Sequence, residues 1–310
     1  MNVLITGGAG FIGSHLAERV LAGGGRVRVL DNLSTGKREN LPVHPQLEFV
    51  QGDIRDRSLV AGSVRGMDAI VHLAAVASVQ ASVDDPMGTH ETNFDGTLSL
   101  IEAARSAGVK RIVYASSAAV YGDTAILPVS ESVATSPLTP YAADKLAGEH
   151  YLGFYHRKYG MQTTAFRFFN IYGPRQDPSS PYSGVISIFV DRLRAGAPVT
   201  LFGDGRQTRD FVYVGDLAML LARAISETAA FGQVMNVGRG IECSLLELLT
   251  AMERLTGRKM ERIHEAARVG DIVRSCANVE RLRSLLGAVP QTPIADGLRQ
   301  LLTCNQISCV

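Results

Sequence analysis

The chain has 310 residues, enough for one large domain or two modest ones with a sizeable buried core. Its 31 basic and 30 acidic residues give a net charge of +1, so no overall field favours nucleic acid or a membrane as a partner. The apolar segment at residues 11–22 is too short to span a bilayer.

The first 31 residues have the order strand, glycine loop, helix, strand and acid. Residues 2–6 form a short apolar run, and the glycine-rich loop 7–13 opens an apolar helix. Such a loop allows close approach to a pyrophosphate, and the helix N-terminus offers free N–H groups with a positive dipole end. A second strand at 26–30 ends at Asp31, whose carboxylate would bind an adenosine ribose and repel a 2′-phosphate. The order predicts a dinucleotide site that prefers NAD to NADP.

Strands and helices alternate through the first half of the chain. The remaining predicted elements there are strands at 47–50, 69–74, 111–116 and 163–169 and long helices at 87–107 and 140–159. Alternation with short connections is typical of a parallel sheet covered by helices on both faces. We therefore predict the α/β class, with a Rossmann-type doubly wound parallel sheet and a smaller C-terminal α/β domain.

Beyond residue 170 the pattern loosens into shorter elements separated by glycine- and proline-rich turns. We predict an NAD-binding Rossmann domain at 1–170 and a substrate domain at 171–310, with ligand in the cleft at the carboxyl ends of the strands. Segments near 211–239, in particular Phe211–Val214 and Val234–Val237, are candidates to return to the first domain. The end of the chain, Thr303–Val310, has no clear pattern and is expected to be disordered.

Tyr141 and Lys145 lie four residues apart, just after Thr139 and Pro140, which suit a helix cap and first turn. This spacing puts the phenol and the ammonium on one helix face. A nearby cation favours phenolate, so we expect the pKa of Tyr141 to fall from about 10 toward neutrality, as a general base for an alcohol requires. Ser117, after the strand at 111–116, could share a hydrogen bond with that alcohol. Alone, a Tyr/Lys pair is more often a surface contact, so this interpretation depends on the dinucleotide site.

With these residues the sequence resembles the extended short-chain dehydrogenase/reductase family, specifically its UDP-hexose 4-epimerases. The resemblance covers nearly the whole chain. The motifs that carry it are T-G-G-A-G-F-I-G at 6–13, D-N-L-S-T-G at 31–36, S-S-A-A-V-Y-G-D at 116–123, Y-A-A-D-K at 141–145, F-F-N at 168–170, R-D-F-V-Y-V at 209–214 and R-V-G-D-I at 268–272.

The resemblance implies roles for residues at matching positions. It makes Tyr141 the base, Lys145 its electrostatic partner and nicotinamide-ribose anchor, and Ser117 the hydroxyl that positions the substrate. Besides Tyr141 and Lys145, the implied NAD-binding residues are Gly7, Gly10, Phe11, Ile12, Gly13, Asp31, Asn32, Ser34, Thr35, Gly36, Asp53, Ile54, Leu73, Ala74, Ala75, Asn93 and Phe169. The implied nucleotide-sugar residues are Ser82, Ser117, Asn170, Phe202, Arg209, Arg268, Asp271 and Ser275, with the two arginines facing the diphosphate. Without the resemblance, each arginine would be interpreted as a solvated surface charge.

The resemblance also implies a reaction. Tyr141 removes the proton of the sugar 4-hydroxyl while hydride passes to NAD, the 4-keto sugar turns over, and hydride returns to its other face. Related dehydratases and decarboxylases carry acidic residues where this chain has Ala118 and Ala119, so only epimerisation remains supported. A tyrosine at the position of Ser275 restricts family members to glucose and galactose, so serine predicts UDP-GlcNAc and UDP-GalNAc as substrates, with UDP-Glc and UDP-Gal as well.

Three alternatives stay open at this point: an epimerase for another sugar such as a UDP-uronate, a net oxidoreductase that releases NADH, and a non-enzymatic NAD-binding sensor. The last is disfavoured by Ser117 and the Tyr/Lys pair. Related family members pair the helices matching 87–107 and 140–159 between subunits, and surplus apolar residues there predict a homodimer. Those residues are Leu98, Leu100, Ile101, Leu152, Phe154 and Tyr155.

The four cysteines form no C-x-x-C pair and the seven histidines are scattered. We therefore predict no metal site, and a reduced cytoplasmic setting in which Cys304, Cys309 and the other thiols are free.

Overall fold

The computed structural model describes residues 1–177, 184–267 and 272–309. Its strands are β1 (Asn2–Thr6), β2 (Arg26–Asp31), β3 (Leu47–Gln51), β4 (Ala69–His72), β5 (Arg111–Ser117), β6 (Gln162–Phe168), β7 (Asn170–Tyr172), β8 (Val199–Phe202), β9 (Thr208–Arg209), β10 (Phe211–Tyr213), β11 (Gln233–Val237), β12 (Cys243–Ser244) and β13 (Arg262–Glu265). Its helices are α1 (Phe11–Ala22), α2 (Arg57–Ser63), α3 (Val79–Asp84), α4 (Pro86–His90), α5 (Gly96–Ser106), α6 (Pro140–Tyr159), α7 (Val185–Ala195), α8 (Val214–Ala224), α9 (Leu245–Thr256), α10 (Glu280–Leu286) and α11 (Ile294–Cys304). Short 3-10 turns lie at Arg38–Asn40, Ala118–Tyr121 and Thr228–Ala230.

Seven parallel strands form the central sheet, in the order β11-β6-β5-β4-β1-β2-β3. The chain winds outward from β1 to β3 on one side and from β4 to β11 on the other, so the strand order reverses between β1 and β4. Loops leaving the carboxyl ends of these two strands diverge, which opens a crevice for a ligand at that edge. The predicted doubly wound sheet is confirmed.

Helices cover both faces of the sheet, because successive strand residues point to opposite sides. In β1, Val3 and Ile5 join a core on the face covered by α1, α8 and α10. Leu4, between them, joins a separate core with α2, α5 and α6 on the other face. Every residue from Val3 to Thr6 is fully buried. A strand buried on both faces explains why the sequence shows a continuous apolar run instead of an alternating pattern.

The C-terminal part has its own core, built from α7, α9 and α11 around β8 and β10. Three two-stranded sheets lie there: β7 with β10, β8 with β13, and β9 with β12. Phe11 and Ile12, at the start of α1, pack against this core, so the first helix of the chain contacts both halves. The predicted domain boundary at residue 170 stays a prediction. Two elements after that residue belong with the first half, since β11 lies in the central sheet and α8 packs against α1.

The two returning segments behave differently. Val234–Val237 does enter the central sheet, because β11 pairs with β6 in register from Gln233 and Thr164 onward. Phe211–Val214 does not enter that sheet, because β10 pairs with β7, but Val212 is buried in the core that β1 and α1 share. Its return to the first domain stays a prediction, and α8, which follows, packs against α1. The sequence of a short apolar strand does not show which strand it pairs with, because the tertiary fold decides the pairing.

The expected disorder at the end of the chain is also wrong for residues 303–309. Helix α11 continues through Cys304, and Ile307 is 5% exposed within the C-terminal core. Burial of Ile307 anchors this segment in the core. A single buried residue produces no periodic pattern that can be detected over eight residues.

The predicted long helix at 87–107 is three consecutive elements: α4, a π-helical turn at Glu91–Asp95, and α5. Most of the apolar residues that predicted a homodimer, on this segment and on α6, are buried inside the monomer. The argument that they form surplus apolar surface is therefore corrected. Leu100, Ile101, Leu152 and Tyr155 are buried in the monomer core and Leu98 packs against it, whereas Phe154 is 44% exposed. In the described ranges, no helix is both long and apolar enough to cross a membrane.

Candidate active site

The glycine loop after β1 is packed so tightly that side chains do not fit. Gly7 has a φ of 70°, and a Cβ there would lie 2.7 Å from the backbone nitrogen of Ala74. A Cβ at Gly13 would lie 2.4 Å from the carbonyl oxygen of Gly7. The loop therefore touches the loop after β4 on one side and the first turn of α1 on the other, which places it at the crevice where the strand order reverses.

The N-terminus of α1 is free to bind an anion. Gly10 is the N-cap, no side chain caps the helix, and its first turn has no acidic residue. Unpaired N–H groups and the helix dipole at this point suit a phosphate group. A pyrophosphate therefore fits the glycine loop of this chain.

Asp31 holds the loop in place from the end of β2. Its carboxylate is 7% exposed and accepts the N–H of Ala9 at 2.9 Å and the N–H of Leu33 at 2.8 Å. The segment with Ser34, Thr35 and Gly36 continues from there, and a Cβ on Gly36 would lie 2.9 Å from the carbonyl carbon of Ala9. The carboxylate thus lies against the turn that would carry a pyrophosphate, at the position of a ribose ligand.

Asn32 and Asp53 meet beyond β2 and β3. The amide of Asn32 donates to the Asp53 carboxylate at 2.9 Å, and Arg55 donates to both carboxylate oxygens at 2.9 Å. Arg55 above all holds the pKa of Asp53 well below its usual range. Asp53 is thus a fixed negative group at the predicted adenosine end of the site.

The other predicted cofactor residues line the same crevice. Strand β4 stops at His72, two residues short of the prediction, which leaves Leu73, Ala74 and Ala75 as loop beside the glycine turn. Asn93 lies in the π-helical turn, 1% exposed, and its amide both accepts from and donates to the backbone of Val76. π-helical turns are frequent at functional sites. Ile54 and Phe169 are buried, in the cores below α5 and beside Tyr121 respectively.

Ser117, Tyr141 and Lys145 come together at the carboxyl end of β5. The phenol of Tyr141 lies near the Ser117 hydroxyl, which favours the anionic form of the phenol. The Lys145 ammonium lies 5.9 Å from the centre of the Tyr141 ring, is almost fully buried, and donates to the carbonyl of Ala115 at 2.7 Å. It also lies 5.0 Å from the centre of the Tyr114 ring, within cation–π range.

The expected fall in the pKa of Tyr141 is wrong for this structure. Burial raises the pKa of Tyr141, and the nearby Ser117 hydroxyl only partly opposes the rise. Burial also lowers the pKa of Lys145 to about 8. The helix spacing did place the two groups on one face, but the ammonium points to Ala115 and Tyr114, and desolvation outweighs its attraction for a phenolate.

A buried ion pair lies beneath the site. Arg167 on β6 donates to Glu149 on α6 through two nitrogens, at 2.9 and 2.6 Å, and both side chains are less than 8% exposed. Ser116 donates to the same carboxylate, and the guanidinium lies 4.7 Å above the ring of Tyr121. The helix that carries Tyr141 and Lys145 is thereby tied to β5, which carries Ser117, and to the neighbouring strand β6.

A cavity of about 200 Å³ opens beside Ser117. Four other predicted residues line it: Phe169, Asn170, Arg209 and Ser275. Arg209 reaches across it to donate to the carbonyl of Ile272 at 2.7 Å. The structure therefore joins the hydroxyl of Ser117 to a guanidinium and an amide in one cleft, which suits a polar, anionic ligand.

Some predicted substrate residues are not brought to this cavity. Ser82 is fully buried on α3 and donates to the carbonyl of Val79, and Phe202 ends β8 outside the cavity wall. Arg268 and Asp271 lie outside the described residues.

Several lining residues were not predicted. Tyr121 lies inside a motif quoted from the sequence, and Arg274 adjoins another, so proximity to those motifs was a usable signal for both. Thr124 and Val129 also line the cavity, and no local pattern marks them.

Comparisons with known proteins agree with this geometry. The model of the NAD dependent epimerase/dehydratase family matches residues 3–238. A UDP-glucose 4-epimerase of Mycolicibacterium smegmatis is 43% identical over 303 residues, covering 96% of each chain. The structure of a UDP-N-acetylglucosamine 4-epimerase from Methanobrevibacter ruminantium, in complex with UDP-N-acetylmuramic acid, superposes with a TM-score of 0.94 at 34% identity over 98% of both chains. That of Thermus thermophilus UDP-glucose 4-epimerase, in complex with NAD, gives 0.91 at 40% identity over 99% of both.

These matches confirm the resemblance drawn from the motifs, the α/β fold with its C-terminal part, and NAD as the cofactor. The individual residue roles stay predictions, to which the geometry adds distances and hydrogen bonds.

We predict that Gly13→Ala abolishes retention of NAD. The new methyl group would lie 2.4 Å from the Gly7 carbonyl and force the turn and helix apart. The measurement is NAD released from the purified protein on denaturation, per mole of chain. Gly62→Ala is the matched control, since a Cβ on that helical glycine meets nothing within 4 Å. Unchanged NAD content in folded Gly13→Ala would contradict the assignment of this turn.

Proposed function

We propose that this chain, which belongs to the NAD dependent epimerase/dehydratase family, is a UDP-sugar 4-epimerase that works with bound NAD. One observation carries the proposal most directly. Ser117 lines the cavity that holds Arg209, and the Tyr141 phenol lies beside Ser117, with the buried Lys145 on the same helix. A sugar hydroxyl anchored in that cavity by a diphosphate would meet the phenol.

Each side chain then has a task that its surroundings support. Tyr141 takes the proton of the sugar 4-hydroxyl and returns it after the sugar has turned. Ser117, beside the phenol, holds the hydroxyl oxygen in line for that transfer. Lys145 places a positive charge behind the phenol, where it favours the anionic form against the burial that disfavours it. NAD, when bound, supplies the acceptor and donor of the hydride at carbon 4.

The cavity wall favours epimerisation over elimination. Ala118 and Ala119 follow Ser117 and line the cavity, where dehydratases of the resembling family carry acidic residues. Methyl groups neither donate nor accept a proton, so no group at these two positions can assist loss of water. Proton exchange at the 4-hydroxyl through Tyr141 is the chemistry that remains.

Substrate choice is proposed to include N-acetylhexosamines. Ser275 is half-buried and lines the same cavity as Ser117 and Asn170. A hydroxymethyl group there leaves space that a tyrosine would fill, on the scale of an acetamide. We therefore propose interconversion of UDP-GlcNAc and UDP-GalNAc, together with UDP-Glc and UDP-Gal.

A homodimer is proposed through the exposed face of α6. Tyr151, Phe154 and Tyr159 are 40%, 44% and 46% exposed and recur at helical spacing. Phe94, from the π-helical turn, packs edge-on against Tyr151 at 5.1 Å, so two neighbouring helices present one aromatic surface. Leu98 lines an adjacent open groove of about 630 Å³ between α2 and α5. A symmetric second copy would cover both features.

We predict that Tyr141→Phe lowers turnover by roughly 10²–10⁴ while NAD content is kept, because the ring stays and only the titrating hydroxyl is lost. The assay incubates the protein with UDP-GlcNAc and with UDP-Glc separately and resolves the epimers by chromatography, together with absorbance at 340 nm. Conversion without net NADH supports an epimerase. Accumulating NADH would identify an oxidoreductase, and wild-type turnover in the variant would remove Tyr141 from the mechanism.

We predict that Ser275→Tyr removes N-acetylhexosamine turnover and leaves UDP-Glc activity, since filling such space changes preference by about 1–3 kcal/mol. The measured quantity is the ratio of kcat/KM for UDP-GlcNAc to that for UDP-Glc, which cancels any loss of active enzyme. Ser275→Ala is the size-matched control and should keep the wild-type ratio. An unchanged ratio in folded, NAD-loaded Ser275→Tyr would place the determinant elsewhere.

We predict a dimeric mass by light scattering at micromolar concentration, and a monomeric mass for the double variant Tyr151→Glu and Phe154→Glu. Two carboxylates on this face would be buried without partners in a dimer, at a cost that dissociates it. Val43→Glu, at a fully exposed loop position, is the control and should stay dimeric. A monomeric wild-type chain would end this proposal.

A further inference from the structure

A chain of hydrogen bonds between buried side chains joins the elements that carry the predicted NAD site. Its centre is His72, the last residue of β4, which is almost fully buried. Nδ1 of His72 lies 2.6 Å from the hydroxyl of Thr6 on β1, and Nε2 lies 2.8 Å from the hydroxyl of Thr97 on α5. Both threonines are buried as well. The imidazole therefore connects the strand before the glycine turn to the helix after the π-helical turn.

The direction of each hydrogen bond in this chain can be assigned. The Thr97 hydroxyl has a single proton, which it donates to the carbonyl of Asn93 at 2.6 Å, so toward His72 it can only accept. Nε2 of His72 must then carry a proton and donate it. In a neutral imidazole this leaves Nδ1 as an acceptor for the Thr6 hydroxyl, which itself accepts the backbone N–H of Ala74 at 3.3 Å. A single tautomer, protonated on Nε2, satisfies the whole chain.

The surroundings of His72 also favour its neutral form. Burial lowers the pKa of His72 to about 3, and the positive charge of Lys145 acts in the same direction. The ring of Tyr114 lies 5.7 Å from that of His72, and this phenol is uncharged near neutral pH because burial raises its pKa. A second proton on His72 would turn Nδ1 into a donor and deprive the proton of the Thr6 hydroxyl of its acceptor.

The ends of the chain hold the loop that follows β4. At one end, Thr6 accepts the N–H of Ala74, in the part of that loop which packs against the glycine turn. At the other end, Thr97 donates to Asn93, whose side-chain amide holds both the N–H and the carbonyl of Val76. The loop is therefore fixed at two points two residues apart, and the imidazole joins the two side chains that lead to them.

We propose that His72 is a positioning residue for NAD, which in its Nε2-protonated neutral form holds the glycine turn and the π-helical turn in register with the loop between them. Buried hydrogen bonds add little net stability, because the same groups bond water in the unfolded chain, but they do fix direction and distance. His72 acts through Thr6 and Thr97. The inference depends on NAD, the cofactor of this family, and is independent of the sugar chemistry.

The first test is the tautomer of His72 in the NAD-loaded protein, measured by long-range ¹H–¹⁵N correlation with labelled histidine. The shifts of the ring nitrogens show which one carries the proton, and the signals of His72 are those missing from His72→Gln. We expect the proton on Nε2 in the wild type and in Thr6→Val, where Thr97 still accepts. We expect it on Nδ1 in Thr97→Val, where Thr6 is the remaining acceptor. A wild-type proton on Nδ1, or one tautomer in both variants, overturns the proposal.

Thr92→Val is the matched control for Thr97→Val. The Thr92 hydroxyl, in the π-helical turn, donates to the carbonyl four residues before it, as the Thr97 hydroxyl does. Among the described residues its bond is to Gly88 and not to His72. This variant should keep the proton on Nε2 and the wild-type rate of NAD release. A changed tautomer in Thr92→Val would contradict the assigned chain, because it would show that the imidazole responds to a hydroxyl outside it.

The second test is the rate at which bound NAD exchanges with labelled NAD in solution. Thr97→Val leaves a buried group unpaired, which should speed release of NAD about tenfold. The part of this effect that passes through the imidazole is absent in His72→Leu, so the same substitution should change the rate there by a smaller factor. Equal factors in the two backgrounds, or no effect in either, overturn the role of His72. Neither test uses sugar turnover, so failure of the proposed function would leave both results standing.

Discussion

The ion pair between Glu149 and Arg167 fixes the helix α6 against strands β5 and β6, and the rest of the site depends on it. Glu149 lies about two turns beyond Tyr141 and one turn beyond Lys145, and Arg167 lies on the strand beside Ser117. With Ser116 on the same carboxylate, the pair sets the position of the phenol relative to the serine hydroxyl. Removing one partner of such a buried pair typically costs about 3–5 kcal/mol, because the other charge is left without compensation.

In both halves of the crevice a buried carboxylate holds the backbone in place. Asp31 accepts one backbone N–H on each oxygen, which holds the glycine turn against the following loop and leaves lone pairs for a ribose. Asp210 does the same beside the cavity, where it accepts the N–H groups of Arg239, Gly240 and Ala277 and so ties three segments next to Arg209. Both carboxylates act by fixing backbone, which leaves arginine and helix N-termini to meet the charged ligand.

The proton chemistry proposed for the site takes place in a dry environment. Burial disfavours both charged forms that the reaction needs, the tyrosinate and the lysine ammonium. A buried group retains its charge only when a partner of opposite sign is held close to it. Tyr141 and Lys145 lie about one turn apart on one helix, so a single element sets their spacing. Low dielectric then makes each electrostatic contact stronger than it would be in water.

The sequence by itself determined the alternation of strands and helices, the glycine turn with Asp31, and the helix face shared by Tyr141 and Lys145. These features depend on local spacing, which period, caps and glycines set within a few residues. The sequence did not determine the partner of Phe211–Val214, the burial of Ile307, or the use of Leu100 and Leu152 inside the monomer. Nor did it determine the pKa of Tyr141, because the sequence shows which charge is nearby but not how much water has been removed. Asp144 and His90 lie 54 positions apart along the chain, and only the packing of α4 against α6 brings them together. Strand partners, burial and contacts between distant residues are set by how the elements pack against one another, which the tertiary structure alone decides.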